Sequence, residues 1–122
     1  MSVSVRAIRG ATTVDADTRE QVTSRVQELV NRMIGDNELV HDDLISILFT
    51  ATEDIRSMFP AAAARGLGLG DVPLLCAREL SVDGATPLCI RVLMHVGAER
   101  SLAELHHVYL WNARGLRDDL PG

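Results

Sequence analysis

Apolar residues recur along the chain with two different periods, and the changes of period mark out the elements. Val3, Val5 and Ala7 alternate with Ser4, Arg6 and Ile8. A period of two predicts a strand over 2–9, ended by Gly10 and Thr12-Thr13. Asp15, Asp17 and Thr18 then offer helix caps. Val22, Val26, Leu29, Val30, Met33 and Ile34 follow at i, i+4, i+7, i+8, i+11 and i+12. Those offsets lay one apolar stripe along a helix, predicted over 18–34 with Gly35 as its terminating glycine.

Leu44-Ile45-Ser46-Ile47-Leu48-Phe49 is short, apolar and partly β-branched, which reads as a buried strand. Thr52-Glu53-Asp54 places a capping hydroxyl before two acids and opens a predicted helical turn. Pro60 interrupts it, and a short helix resumes over 61–65. Gly66 to Gly70 is a glycine-rich loop that precedes a strand, so it lacks the strand-to-helix setting of a dinucleotide fingerprint. Val72 to Ala77 reads as a strand and Asp83-Gly84 as a turn. Leu88, Ile90, Val92, Met94 and Val96 alternate along the longest predicted strand, 87–97, with Arg91, Leu93 and His95 on its other face. Ser101 caps a short helix over 101–105, His107 to Leu110 form a last strand, and Asn112 to Gly122 a polar tail. The order β-α-β-α-β-β-α-β predicts an α+β fold, a mixed sheet with helices on one face. With neither repeats nor a linker, residues 1–122 are expected to form one domain with a short flexible tail at about 118–122.

Composition narrows the chemistry. All 12 basic residues are arginine, and lysine is absent. That excludes lysine Schiff bases, pyridoxal phosphate attachment and a Walker-A lysine. A formal net charge of -5 argues against nucleic-acid binding, and four aromatics give no stacking platform. Apolar runs are too short for a membrane span, and Met1 to Arg9 lacks the pattern of a signal peptide, so a cytoplasmic location is expected. Cys76 and Cys89 are too far apart for a metal-binding pair and are expected to be reduced. His106 and His107 would point to opposite faces of a strand, which disfavours a metal pair.

Arg19, Arg25, Arg32 and Arg56 fall where exposed helix faces are expected. Arg91 lies instead within the longest apolar strand, and Arg9 continues the Val3-Val5-Ala7 face. Each either sits on a solvated sheet face with a carboxylate partner, or the two together form an anion site. Glu79, at the end of an apolar strand, is either their structural partner or the acceptor of a ligand hydroxyl. Cys76 and Tyr109 could each be core residues or reach a ligand.

Four segments then match a known pattern. They are Ala7-Ile8-Arg9-Gly10-Ala11-Thr12-Thr13, Ala51-Thr52-Glu53-Asp54 running to Phe59-Pro60-Ala61, Cys89-Ile90-Arg91-Val92, and His107-Val108-Tyr109-Leu110. Between them, Val72-Pro73-Leu74-Leu75-Cys76-Ala77-Arg78-Glu79 carries a proline, a cysteine and a glutamate in register. In these features the sequence resembles the monofunctional AroH-class chorismate mutases, from about residue 5 to 120. The resemblance implies a homotrimer built as a pseudo-α/β barrel, with active sites at the subunit interfaces. It implies conversion of chorismate to prephenate, on the route to phenylalanine and tyrosine, with no cofactor and no metal.

The resemblance also implies roles. Arg91 would donate to the ether oxygen and a neighbouring carboxylate. Arg9 and Tyr109 would bind substrate carboxylates, Glu79 would accept the ring hydroxyl, and Cys76 would lie close by. Phe59 would pack against the substrate, Leu75 (through its backbone) and Leu116 would also bind it, and Arg65 and Arg117 would add positive field at the mouth. There are departures: Ala62 stands where the family often has lysine, and Leu75 replaces a frequent threonine. Only five residues follow Arg117, so a closing role for the tail is in question. Two rivals remain at this stage. One is a trimeric enamine/imine deaminase-like protein; the other is a small-molecule-binding regulatory module.

Overall fold

The computed structural model describes residues 4–116; Arg117 and the tail expected at about 118–122 lie outside the described residues. Strand β1 spans Val5–Thr13, helix α1 Arg19–Asp36, strand β2 Leu44–Ala51 and helix α2 Pro60–Arg65. Strands β3, β4 and β5 span Leu74–Arg78, Cys89–Gly97 and Val108–Tyr109. They form one mixed sheet in the order β3-β2-β4-β1-β5. The central strand β4 runs antiparallel to β1 and β2, while the edges β3 and β5 pair parallel to β2 and β1.

Both helices lie on one face of this sheet, α1 over β1 and β5, α2 over β2 and β3. Val22, Val26, Leu29, Val30 and Met33 of α1 are fully buried and meet Ile8, Ile47, Phe49, Ile90 and Met94 of the sheet. Each such side chain contributes roughly 1.5–3 kcal/mol by leaving water. The close approach of α1 to β1 needs Gly10, where a Cβ would run into Met33 Sδ and lie 3.2 Å from Leu29 Cδ1.

Several boundaries differ from the sequence reading. Strand β1 continues through Gly10 to Thr13, because Val92 down to Cys89 supply ladder partners for all four residues. Helix α1 keeps its expected Thr18 cap, whose side chain accepts from the Gln21 amide at 3.2 Å, but it runs past Gly35. Asn37 ends it by donating from Nδ2 to the Met33 carbonyl at 2.8 Å. Glu38, with φ 53, takes the left-handed position usually given to glycine.

At Thr52 only a single turn forms, its carbonyl accepting from the Ile55 amide at 3.1 Å, and no helix follows. The Thr52 hydroxyl accepts from the Cys89 amide at 3.0 Å, and Asp54 accepts from the Leu88 amide at 2.9 Å. Both capping groups are thus spent on the first residue of β4 and the residue before it, and residues 52–59 cross to α2 as a loop. The 101–105 helix shortens to a 3₁₀ turn at Leu102–Glu104, and the last strand to two residues. Asn112 to Gly115, expected in a polar tail, belong to a 3₁₀ turn over Trp111–Gly115. Arg25 is not on an exposed face: it is 7% exposed, held by the Thr13 carbonyl and by Asp15 at 3.1 Å.

Candidate active site

The sheet face away from the helices carries the charged residues that looked out of place. Because side chains alternate, burying Ile90, Val92 and Met94 turns Arg91 and Leu93 to the other side. The same alternation in β1 puts Ile8 on the helix face and Arg9 and Ala11 on the other, where Ala11 is itself covered at 1% exposure. The register sets Ala77, Thr50, Arg91, Ala11 and Tyr109 side by side across all five strands. Ala11 has only a methyl group, so a hollow opens between Arg91 and Tyr109.

That hollow measures about 250 Å³, and its lining includes Arg9, Leu48, Thr50, Glu79, Arg91 and Tyr109. Arg91 Nε lies 3.3 Å from Glu79 Oε2. The same carboxylate oxygen accepts from the Thr50 hydroxyl at 3.0 Å, and Oε1 accepts from the Leu80 amide at 3.1 Å. Glu79 is thus fixed from three sides, and it fixes Arg91 in turn. Arg9 Nε is buried and has no hydrogen-bond partner among the described residues. A desolvated guanidinium donor without an acceptor is costly, and an anion in the hollow would satisfy it.

A second, larger hollow of about 630 Å³ lies where the 52–59 loop meets β3 and α2. Phe59 and Cys76 line it, together with Arg19, Arg56 and Arg78. Cys76 faces α2, where its Sγ accepts from the Ala61 amide at 3.4 Å. Within one chain it therefore belongs to this second hollow and not to the one holding Glu79. Phe59 is 71% exposed, and Asp17 holds the loop behind it by accepting from the Arg56 and Ser57 amides at 2.8 and 3.1 Å.

The arrangement positions anions; nothing in it builds a nucleophile. Burial pushes the Cys89 thiol up, against the weaker opposing effect of Arg91's charge, so Cys89 is a core residue. Among the described residues no group of three or more His, Cys, Asp or Glu could hold a metal ion, and no helix is long and apolar enough to cross a membrane.

Comparison with known proteins decides between the alternatives. The family model for chorismate mutase type I matches residues 5–120. The chain belongs to the chorismate mutase type I family. It is 44% identical to the chorismate mutase AroH of Thermus thermophilus, an alignment covering 95% of this chain and 96% of that one. It is 39% identical to the chorismate mutase AroH of Bacillus subtilis, covering 95% and 92%. The fold matches a chorismate mutase structure from Clostridium thermocellum with a TM-score of 0.86 at 44% identity, covering 88% of this chain and 96% of that one. Neither the deaminase-like protein nor the regulatory module is this chain's family.

In this mutase, then, the expected site residues fall into two groups. Arg9, Glu79, Arg91 and Tyr109 share the first hollow, while Phe59 and Cys76 share the second. Leu75 pairs with Leu48 and is exposed on the open sheet face. Arg65, exposed in the last turn of α2, and Leu116, after the final 3₁₀ turn, line neither hollow. Arg117 lies outside the described residues. Sequence reasoning missed Thr50 because it ended the strand at Phe49. The alternation Ile47, Phe49 in, Leu48, Thr50 out was the signal that could have found it. It also missed the arginines of the second hollow, which converge only in the folded chain.

Proposed function

We propose that this type I chorismate mutase converts chorismate to prephenate at sites shared between the subunits of a homotrimer. One subunit supplies the hollow holding Arg9, Glu79, Arg91 and Tyr109, and a neighbour supplies the surface around Phe59, Leu75 and Arg65. The observation that carries the reading is the convergence of two guanidiniums, one fixed carboxylate and one phenol on an open sheet face, with Arg9 Nε unspent. The two hollows open separately within one chain, which fits a site completed by a second subunit.

The reaction is a concerted [3,3] rearrangement in which one C–O bond breaks as one C–C bond forms. No proton moves and no covalent adduct forms, so a chain without lysine lacks nothing the chemistry needs. The protein must hold a flexible dianion in a chair-like geometry. It must also place positive charge at the ether oxygen, where electron density builds as the bond breaks. Arg91 does the second. Its planar fork reaches the ether oxygen and a carboxylate together, which an ammonium cannot do. Glu79 orients Arg91 and accepts the ring hydroxyl. Arg9 and Tyr109 bind substrate carboxylates, and Phe59 packs against the substrate. Cys76 supports the α2 edge by its contact with the Ala61 amide.

The assay is direct. Purified protein and chorismate should give prephenate without added metal or nucleotide. Chorismate left intact by folded protein would refute the activity.

A further inference from the structure

Tyr109 stands on the shortest strand of the sheet. Strand β5 is an edge strand that pairs with β1 at two positions, Gly10↔Val108 and Ala11↔Tyr109. So short a ladder does not by itself fix a side chain. The fastening comes from the residues that follow. The Leu110 amide donates to the Ala11 carbonyl at 2.9 Å, and the Asn112 amide to Thr13 Oγ1 at 3.2 Å. Between them the Trp111 ring lies against the Arg25 guanidinium, whose carbon is 3.8 Å from the ring centroid.

Arg25 is the buried cation that the proposed chemistry does not use. One of its nitrogens donates to the Thr13 carbonyl and another to Asp15 Oδ2 at 3.1 Å. Trp111 Nε1 donates to Glu28 Oε1 at 2.9 Å, a second tie to α1. Trp111 itself takes a left-handed backbone, φ 53. A bulky residue adopts that conformation only where its surroundings impose it. The guanidinium thus joins the end of β1, the start of the last 3₁₀ turn and α1 at one point. Tyr109 lies two residues away, beside Ala11.

We propose that the Arg25–Trp111 stack is a positioning device for substrate binding, in which both residues act through Tyr109 by fixing where β5 leaves the sheet. The inference rests on the reading of Tyr109 as a ligand for a substrate carboxylate. Neither residue lines the hollow itself, so their effect reaches the substrate through the backbone of residues 109–112.

Steady-state kinetics of Tyr109→Phe, Trp111→Leu and the double variant test it. Tyr109→Phe and Trp111→Leu should each raise KM about fivefold with kcat within about twofold of the parent, and the double variant should match Tyr109→Phe alone. Trp111→Phe, which keeps a ring under the guanidinium, should recover most of the loss. Effects on KM that multiply in the double variant would overturn the proposal, since the stack would then act elsewhere. If Tyr109→Phe raises KM and Trp111→Leu does not, the positioning role falls and the Tyr109 assignment survives. If Tyr109→Phe leaves KM unchanged, the assignment falls and takes the positioning role with it. Should Trp111→Leu fail to fold, Arg25→Lys in the same two backgrounds gives the same comparison.

Discussion

Arg91 illustrates how a charge can sit within an apolar strand at little cost. Its side chain is 45% exposed and its partner Glu79 27% exposed, so neither ion is fully desolvated. A pair this accessible contributes at most about 1 kcal/mol to stability. Its value lies in aim, since Glu79, held by Thr50 and the Leu80 amide, gives the Arg91 Nε a fixed partner at 3.3 Å. Arg91→Lys should therefore keep the melting temperature and cut kcat by roughly 10²–10³, the loss of one well-directed donor. Turnover near that of the parent would remove Arg91 from the ether-oxygen role. Arg9 should behave differently. In its proposed role Arg9 binds a group that carries the same charge before and during reaction, so Arg9→Ala should raise KM with a smaller change in kcat. An unchanged KM would exclude Arg9 from the carboxylate.

At the scale of elements, the loop over residues 52–59 is the piece that sequence patterns misplace and that the proposed site draws on through Phe59. Its shape rests on Asp17, whose carboxyl is held below its ordinary value by hydrogen bonding from Ser57 and then from the Arg56 amide. A lowered carboxyl value means that the folded state favours the ionised form. The stabilisation is full above the ordinary value of 3.8 and is lost as pH falls through the lowered one. The melting temperature of Asp17→Asn should lie below that of the parent by a constant gap above about pH 5, and the gap should close in stronger acid. A gap that persists at low pH would mean that the charge on Asp17 is not what holds the loop. What was legible in the sequence divides along the same line. Helix α1 and strand β4 carry their own periods over many residues, and both lie close to where those periods put them. The 52–59 loop and the end of β1 were not legible, because their groups bond to β4 or the residue just before it, 34 and 37 positions onward for Asp54 and Thr52 and farther for β1. Arg9, Arg91 and Glu79 stood out as charges in apolar strands. Thr50 and Arg25 did not, since only the assembled sheet gives them their partners.

Among the described residues the molecule is one-sided. Two helices cover one face of a five-stranded sheet, and the other face presents Val5, Leu48, Leu75 and Leu93 around the charged hollow. Val5 and Leu75 are 58% and 64% exposed, and Phe59 more so. An apolar sheet face of this breadth belongs against another surface. A second copy related by a closed rotation presents a different patch from the one it receives, which is what a site drawing on two distinct hollows requires. The proposed homotrimer makes a sharper demand than mass alone. A carboxylate at Leu75 would have to be buried against the neighbour, at a cost of several kcal/mol, while remaining solvated in an isolated chain. Leu75→Glu should therefore give protein with the parent's helix content by circular dichroism, a monomeric mass by light scattering, and little mutase activity. Any mixed ring formed with excess Arg91→Lys protein sets the intact hollow of the Leu75→Glu chain against an intact Leu75 surface, so activity recovered on mixing would support the shared site. A Leu75→Glu protein that stays monomeric and turns over chorismate at the parent rate would show that one chain holds the whole site, and the shared-interface reading would fail.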